Sequence, residues 1–542
     1  MRRKRTSTSA SEEPMVVKPS FLVSAPSDDA DDDQINPFLN RTSGRGQSVG
    51  EICKRGIVAL TLFPFRCLLI TGVLLVGYTV AHLASLGVSQ DRFHPLKGSP
   101  LRGWRAAILE VVFAGRHVLL WAFGFIGIKV KGRPASKEEA PIIVANHVSG
   151  LIEGMFLLRC ATMAEAHYIM NPVLGPIMKC TAAIAVDRND PDSRHNAKEA
   201  IVNRATMPGW PQTLVFPEGT CTNGNALVQF KLGAFTPGLP VQPVLFRYTS
   251  KTYDPSFTFP RSSGGYLLGM LLQLYNPMEV EYLPVYVPNE SEKQSPVIYA
   301  AGVQKKMAEA LGVPATKHAA EDVALCSAAQ RLHLPLKTGL VQWQAVTENL
   351  TQMRYRDASQ LLKTFSKMDK EGKGRLDFKA FSSAMKALVA QNRIEEESAG
   401  DKTPSNASDG ERTNIEYSTE DLWHLFKLLD VSGDGYVDFR EYLCGVAVLN
   451  GRGQDEEVAS LKFAFECLSK GEAHFTKAQL TELICRAVPG LEQEHLEKYF
   501  TEADCDKNGL LSRDEFISFA IKHREDLGLQ ARNLLPGFPE LA

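Results

Sequence analysis

Residues 141–153 read PIIVANHVSGLIE, and residues 213–223 read TLVFPEGTCTN. In each stretch a short apolar run is followed at once by polar and charged residues. Such short apolar runs predict strands that are buried on both faces of a sheet. Similar runs occur at 182–186 and 241–246, with helix-like stretches between them. This alternation predicts an α/β layer fold over residues 131–330.

Three polar stretches begin where predicted strands end: residues 146–150 (NHVSG), 186–190 (VDRND) and 216–223 (FPEGTCTN). The carboxyl ends of strands in open α/β sheets commonly form the ligand crevice. Taken alone, each stretch has an ordinary interpretation as a loop histidine, a salt-bridging arginine or a turn. Their occurrence in this order predicts that they share one site.

The order of these stretches, followed by PVQPV at 240–244, resembles the four acyltransferase blocks of the glycerolipid acyltransferases. The strings KLGAF (231–235), PVQPVLFRY (240–248) and MAEALGVPAT (307–316) are similar to the lysophosphatidylcholine acyltransferase branch, whose members also carry EF-hands. The similarity extends over residues 36–525. It implies a membrane-bound enzyme of phospholipid remodelling, which moves an acyl group from acyl-CoA to the hydroxyl of a lysophosphatidylcholine-like acceptor.

Under this resemblance His147 is the catalytic base, and imidazole suits that role because its pKa lies near the working pH. The family pattern is His-x4-Asp, in which the acid orients the imidazole. In this chain Ile152 stands at that place and Glu153 follows one residue later. Either Glu153 reaches back to His147, or the domain is catalytically decayed and the protein is a calcium-sensing scaffold on the membrane.

The resemblance also implies that Arg188, Glu218, Gly219 and Thr220 bind substrate. Arg188 can pair with the lipid phosphate through two parallel hydrogen bonds. Glu218 would contact lipid hydroxyls, and the backbone amides at Gly219 and Thr220 can hold an anion. Cys221 is an alternative candidate as a covalent nucleophile, although direct transfer to the acceptor needs no covalent intermediate.

A membrane anchor is predicted over residues 51–130. Residues 67–90 contain no Asp, Glu, Lys or Arg, and about 20 apolar residues are enough to cross a bilayer as a helix. We place the span at 67–88. The apolar stretch 106–130 is interrupted by charges, which favours an interfacial or re-entrant helix. A single-pass anchor and a hairpin both remain open, and the family resemblance implies the endoplasmic reticulum membrane, with the Golgi or lipid droplets as alternatives.

Two segments in the C-terminal third, residues 430–441 and 504–515, fit the twelve-residue EF-hand loop, with glycine at position 6 and glutamate at position 12. Calcium is a hard cation that prefers six to eight oxygen ligands, and the final glutamate supplies two of them. The predicted ligands are Asp430, Ser432, Asp434, Tyr436, Asp438 and Glu441 in the first loop, and Asp504, Asp506, Asn508, Leu510, Ser512 and Glu515 in the second.

Two further loops resemble EF-hands that have lost their ligands. Residues 369–380 carry Lys373 at position 5 and Ala380 at position 12, and residues 468–479 have lost nearly all ligand side chains. We therefore predict an all-α EF-hand domain over residues 356–525. It contains four hands in two pairs, with one calcium-binding loop in each pair.

The length, charge balance and cysteine content of the chain limit the possible classes of protein. A chain of 542 residues predicts two or more domains. Lys plus Arg (60) nearly balances Asp plus Glu (62), so there is no basic field that would indicate nucleic-acid binding. The ten cysteines contain no C-x2-C pair, which argues against a zinc site or disulfide framework. Residues 1–50 and 526–542 are predicted tails, 331–355 is a predicted linker, and the oligomeric state is undetermined.

Overall fold

The computed structural model divides the chain into two compact units, one spanning Ala30–Ala320 and one that includes Glu321–Ala542. Each unit has its own hydrophobic core. The structure describes residues 36–42, 48–94, 96, 98–187, 190–250, 252–259, 263–349, 353–399, 418–450, 474–487 and 493–523, with a few positions between 458 and 469.

The first unit begins with apolar helices. Helix α1 (Val49–Leu60) is capped by Ser48 and is followed directly by α2 (Leu62–Ser85). Among the described helices, α2 alone is long and apolar enough to cross a membrane. The predicted span 67–88 overlaps α2, which begins before Arg66, at Leu62, and ends at Ser85.

Helix α3 (Trp104–Ala122) runs back along α2. The rings of Phe65 and Trp121 meet near one end of the pair, with centroids 6.1 Å apart. Farther along, a Cβ on Gly115 would lie 3.0 Å from Val73 Cγ1. The two helices therefore form an antiparallel hairpin, and glycine permits the close approach.

A seven-stranded sheet forms the centre of the first unit, in the order β1-β7-β6-β2-β5-β3-β4. Neighbours are parallel except for the antiparallel pair β6 and β7. Four strands match predicted ones, whereas β1, β3 and β7 were not predicted. The strands are β1 (Lys129–Lys131), β2 (Ile142–Ala145), β3 (Ala161–Glu165), β4 (Ile184–Val186), β5 (Thr213–Val215), β6 (Val241–Tyr248) and β7 (Met278–Tyr282).

Helices cover both faces of this sheet. Ile143 of β2 belongs to a core shared with α3 and α8, and the adjacent Ile142 belongs to a core shared with α7 and α10. Both residues are buried because successive side chains of a strand point to opposite faces. The helices around the sheet are α4 (Ile152–Phe156), α5 (Ala166–Met170), α6 (Leu174–Cys180), α7 (Pro191–Thr206), α8 (Ser263–Leu271), α9 (Glu290–Gln294) and α10 (Pro296–Leu311).

The second unit begins with α11 (Ala320–Arg331) and α12 (Trp343–Asn349), on either side of a 3-10 turn. We expected a linker over 331–355, but this stretch contains ordered elements. The buried Asp322 carboxylate accepts hydrogen bonds from the backbone N–H groups of Val341 and Trp343 at 2.9 and 3.1 Å. These bonds fold the segment back onto α11.

Where the structure describes the rest of the second unit, it consists of paired helix–loop–helix elements. The first two loops pair through β8 and β9, and β10 pairs with β11 in the same antiparallel manner. This is the arrangement expected of two EF-hand pairs. The elements are α13 (Tyr355–Met368), β8 (Arg375–Leu376), α14 (Phe378–Ala399), α15 (Thr419–Leu429), β9 (Val437–Asp438), α16 (Phe439–Leu449), β10 (His474–Thr476), α17 (Lys477–Ala487), α18 (Gln493–Ala503), β11 (Leu510–Ser512) and α19 (Arg513–Lys522).

Candidate functional site

His147 lies just beyond the carboxyl end of β2. The preceding Asn146 is buried, and its side-chain amide exchanges two hydrogen bonds with the backbone of Phe246 in β6, at 3.0 and 2.8 Å. The imidazole of His147 stacks on the ring of Phe216, with centroids 4.0 Å apart. The backbone and the ring of His147 are therefore both held from neighbouring strands.

Glu153 is fully buried, and one of its oxygens is held by three donors. The Oε1 atom accepts hydrogen bonds from the Tyr248 hydroxyl at 2.7 Å and from the backbone N–H groups of Ser149 and Val148 at 2.7 and 3.3 Å. The Oε2 atom has no hydrogen-bond partner among the described residues and lies 3.9 Å from His147 Nδ1. Burial raises the pKa of Glu153, while the donors around Oε1 oppose that shift.

The loop between His147 and Glu153 accommodates the departure from His-x4-Asp. Gly150 adopts a φ of +78°, which is a left-handed conformation that other residues rarely take. The next residues lead directly into α4, which starts at Ile152. The extra loop residue and the extra methylene of glutamate together bring a carboxylate to the imidazole.

The FPEGTCTN stretch lies beside His147 because β5 and β2 are adjacent parallel strands. The backbone N–H of His147 donates to Glu218 Oε1 at 2.8 Å, and the backbone N–H of Thr222 donates to the His147 carbonyl at 2.8 Å. Glu218 is fully buried, and burial raises its pKa to about 8. Bonds from His147, Val228 and Thr222 oppose that increase.

Three of the four predicted substrate-binding residues lie in this loop. Gly219 has a φ of +65°, and the side chain of Lys231 passes 3.4 Å from the position its Cβ would take. Thr220 is buried next to it. The fourth residue, Arg188, lies outside the described residues. The flanking Asp187 N–H donates to Ser193 Oγ of α7 at 2.8 Å.

The second unit contains the two predicted calcium loops. In the loop 504–515, carboxylate oxygens of Asp504, Asp506 and Glu515 lie within 4.8 Å of one another. In the loop 430–441, the Glu441 carboxylate accepts from the backbone N–H groups of Ser432 and Asp438 at 2.9 and 3.0 Å.

The two glutamates at position 12 are in different surroundings. Burial and the neighbouring Asp438 raise the pKa of Glu441 to about 7, whereas hydrogen bonds from Ser512 hold the pKa of Glu515 below its usual range. In both loops the glutamate carboxylate accepts hydrogen bonds from backbone N–H groups in the first half of the loop. In EF-hands the glutamate at this position supplies two oxygen ligands to Ca²⁺.

Comparison with known proteins identifies both units. The Acyltransferase family model matches residues 127–247, and the EF-hand domain pair model matches residues 358–447. Lysophosphatidylcholine acyltransferase 2 of Danio rerio is 34% identical over 502 residues, covering 91% of this chain and 87% of that protein. This chain belongs to the lysophosphatidylcholine acyltransferase family. The human protein of the same name is 33% identical, with 90% and 84% covered.

More distant members of this family cover the chain to a similar extent. The lysophosphatidylcholine acyltransferase of Drosophila melanogaster is 30% identical over 497 residues, covering 90% of this chain and 86% of that protein. Both the sheet unit and the EF-hand unit fall within aligned regions of this length. The predicted fold class is therefore confirmed: an α/β acyltransferase domain with an N-terminal apolar helix, followed by an EF-hand domain.

Residues 36–42 are a part of the site that sequence reasoning missed, because they fall in the predicted tail 1–50. The side-chain amide of Asn223 donates to the carbonyls of Asn36 and Leu39 at 2.7 and 2.8 Å. Arg41 forms an ion pair with the buried Asp254 at 3.1 Å. Residues 36–42 thus hold the loop 216–223, which contacts His147. The signal for it was the start of the family resemblance at residue 36.

The sequence also did not identify the aromatic side chains around the His147–Glu153 pair. They are Phe216 beneath the imidazole, Tyr248 on the Glu153 carboxylate, and Tyr266, whose hydroxyl contacts Ser149. Phe216 and Tyr248 were inside quoted motifs, at the first position of FPEGTCTN and the last of PVQPVLFRY. Tyr266 had no comparable signal, because α8 comes from a different part of the chain.

The raised pKa of Glu218 predicts a pH-dependent stability. Between the ordinary carboxyl value of 4.5 and about 8, folded Glu218 retains a proton that the unfolded chain releases. Its burial therefore destabilises the fold increasingly as pH rises through that window. We expect Glu218→Gln, which stays neutral, to gain stability relative to the wild type at pH 8 but not at pH 5. Each unit of pKa shift corresponds to about 1.4 kcal/mol.

The measurement is the thermal unfolding midpoint of the detergent-solubilised protein at the two pH values. Glu279→Gln is the control, because the partly buried Glu279 is paired with Lys131 and has a lowered pKa. It should show no gain at the higher pH. An equal effect of Glu218→Gln at both pH values would contradict the prediction.

Proposed function

We propose that this chain is an acyl-CoA-dependent 1-acylglycerophosphocholine O-acyltransferase with a lysophosphatidylcholine-like acceptor. The observation that carries the proposal is the position of Glu153 Oε2 beside His147 Nδ1 in the acyltransferase domain. A carboxylate there keeps the imidazole in the tautomer with its proton on Nδ1, which leaves Nε2 ready to accept a proton. The names of the relatives supply the lysophosphatidylcholine acceptor.

In the proposed reaction, His147 Nε2 takes the proton of the lysolipid hydroxyl as the oxygen attacks the thioester carbonyl of acyl-CoA. The new ester C–O bond forms, the C–S bond breaks, and the leaving sulfur receives the proton from the imidazolium. The Glu153 carboxylate stabilises that imidazolium. The distance of 3.9 Å is long for a hydrogen bond, but such contacts often tighten only when substrate is bound.

The acceptor headgroup is assigned to the loop after β5 and to the end of β4. Glu218 has one oxygen engaged by the His147 backbone, and we assign it to lipid hydroxyls. The backbone at Gly219 and Thr220 would hold the phosphate together with Arg188, whose guanidinium matches two phosphate oxygens. The position of Glu153 Oε2 beside His147 favours the enzyme over the scaffold alternative, because that alternative rests on the acid being displaced by one residue from the family pattern.

We propose that α2 and α3 form a membrane hairpin in the endoplasmic reticulum, with the Golgi and lipid droplets as alternatives. The hairpin is supported by the antiparallel contacts of the two helices. Lys54 and Arg55 precede α2, which favours a cytosolic start of the anchor. A hairpin then leaves the remainder of the chain in the cytosol, where calcium concentrations vary.

We further propose that the EF-hand domain binds two Ca²⁺ ions, through the loops 430–441 and 504–515. The neutral variants Glu441→Gln and Glu515→Gln should each lose one of two binding events in calorimetric titration, because each removes the carboxylate that supplies two ligands. Glu371→Gln, in the loop with Lys373, is the matched control and should keep both. A single binding event in the wild type would contradict the prediction.

The function is tested by incubating the purified full-length chain with labelled acyl-CoA and lysophosphatidylcholine in mixed micelles. Formation of labelled phosphatidylcholine supports the enzyme. Absence of product from a folded, calcium-binding preparation, across several lysolipid headgroups and acyl donors, would favour the scaffold. The same assay with and without calcium, in the wild type and the Glu441→Gln/Glu515→Gln double variant, tests whether calcium regulates the rate.

A further inference from the structure

Helix α8 (Ser263–Leu271) presents apolar side chains on two faces. Tyr266 and Met270 point into the core that it shares with α3 and β6. Leu267 and Leu268, on the other side, are exposed, as are Leu274 and Tyr275 beyond the end of the helix. Exposed apolar surface of this kind marks contact with a membrane or a partner more often than with water.

The chain around α8 is also free of charge. Residues 263–278 contain no Asp, Glu, Lys, Arg or His. A helix that is apolar on all sides is normally buried or in lipid. Among the described residues, the core accounts for one face of α8 only, and Leu267 and Leu268 on the other face stay exposed.

The proposed membrane anchor is directly connected to α8. Arg66, in the first turns of α2, is buried, and its guanidinium donates to the carbonyls of Leu271, Gln273 and Leu274. An arginine suits the C-terminal end of a helix, where carbonyl groups lack partners. These hydrogen bonds join the C-terminal end of α8 to the first turns of α2, the helix that can span a bilayer.

A second connection joins the same turn to the end of α3. The Asn276 side chain donates to the Phe123 carbonyl at 2.7 Å, and its backbone N–H donates to the Gly124 carbonyl at 2.8 Å. This places Tyr275 close to the end of α3, where Trp121 is exposed. Tyrosine and tryptophan are enriched where membrane and water meet.

The other end of α8 reaches the proposed active site. The Tyr266 hydroxyl contacts Ser149 in the loop after His147, and its ring packs edge-on against Phe257 with centroids 5.1 Å apart. Phe257 and Leu151 are themselves exposed. Apolar surface therefore extends from the anchor, along α8, to the mouth of the site.

We propose that the exposed face of α8, with Leu267, Leu268, Leu274 and Tyr275, lies in the interfacial layer of the same bilayer that holds α2. The first unit then contacts lipid through three helices, which are α2 and α3 of the hairpin and α8. This contact between α8 and lipid goes beyond the proposed function, because it does not depend on catalysis. A helix in this position typically sinks about 5–10 Å into the headgroup and acyl boundary.

The test uses the full-length protein reconstituted in phosphatidylcholine vesicles. An environment-sensitive fluorescent amino acid is incorporated at position 268 and, as a matched control, at position 298 of α10. Leu268 and Ile298 are similarly exposed, at 46% and 52%, but α8 and α10 cover opposite faces of the sheet. A third probe at position 274 repeats the test outside the helix.

We expect emission from positions 268 and 274 to be shifted to the blue, quenched by lipids carrying a spin label on the acyl chain, and resistant to aqueous iodide. Emission from position 298 should behave in the opposite way. Iodide quenching at 268 equal to that at 298 would overturn the proposal. Protection at 268 from both quenchers would also overturn it, because a protein surface would then cover α8. Neither readout requires acyl transfer, so failure of the proposed enzyme would be seen separately.

Discussion

We expect His147→Ala to reduce acyl transfer by about 10²–10⁴-fold, which is the usual contribution of a general base. The loss should appear in kcat, because the imidazole acts on the reacting hydroxyl and not on the remote parts of the substrates. The ring stacks on Phe216 and its backbone is held by Glu218 and Thr222. Those backbone bonds remain in the alanine variant, so the loop should keep its shape.

The control is His195→Ala, which removes an exposed histidine from α7. It should retain the wild-type rate. Circular dichroism and calcium titration of both variants check that folding and the second unit are intact. Activity of His147→Ala above about one tenth of the wild type would contradict the assignment, since a tenfold effect corresponds to only about 1.4 kcal/mol of transition-state stabilisation.

Cys221 provides a second check on the same mechanism. A Cβ on Gly150 would lie 3.2 Å from its sulfur, so the thiol is close to the loop after His147. Direct transfer predicts that Cys221→Ser stays active and that no acyl-enzyme accumulates. A covalent route would instead show ping-pong kinetics and trapped acyl-enzyme.

The strands that carry the site were predictable because each is a short apolar run ending in a polar motif. β2, β5 and β6 are central in the sheet and buried on both faces, so their sequences carry a strong signal. β1 and β7 lie at one side and mix charged with apolar residues, as in KVK and MEVEY. Their pairing depends on partners far away in the chain, which local patterns do not reveal.

The site, like the sheet, has parts that local sequence predicts and parts that depend on residues far away in the chain. His147, Glu153 and Glu218 were identifiable from motif and residue chemistry, but the way Glu153 reaches His147 was not. It depends on the left-handed Gly150 and on the Tyr248 hydroxyl, which comes from a different strand. Residues 36–42 were missed for a similar reason. Their polar composition resembles a tail, and only their partners Asn223 and Asp254 show that they are part of the site.

The role of Glu153 leads to the second large effect. Glu153→Gln keeps the size of the side chain, and its amide oxygen can still accept from Ser149 and Tyr248. The amide nitrogen would then face His147 Nδ1. The variant lacks the carboxylate that stabilises the imidazolium, and its amide N–H disfavours the imidazole tautomer with a proton on Nδ1. We expect kcat to fall by about 10²–10⁴-fold with an unchanged melting temperature or a higher one, because a buried charge is removed.

Tyr248→Phe distinguishes this electrostatic role from packing. It leaves the carboxylate in place but removes one of three donors to Oε1, so we expect a loss of about tenfold, in keeping with roughly 1.5 kcal/mol for a hydrogen bond to a charged group. The Tyr248 bond opposes the rise of the Glu153 pKa. Without it the pKa rises further, and activity should be lost at a higher pH as the medium is acidified. Tyr253→Phe is the control. It removes a hydroxyl that donates to the Tyr266 carbonyl and should leave the pH profile unchanged.

Two outcomes would contradict the role of Glu153: a Glu153→Gln rate within tenfold of the wild type, or a Tyr248→Phe pH profile that does not move. In either case Glu153 does not act on His147 as a carboxylate. The one-residue displacement of the acid would then be a true loss of the catalytic pair.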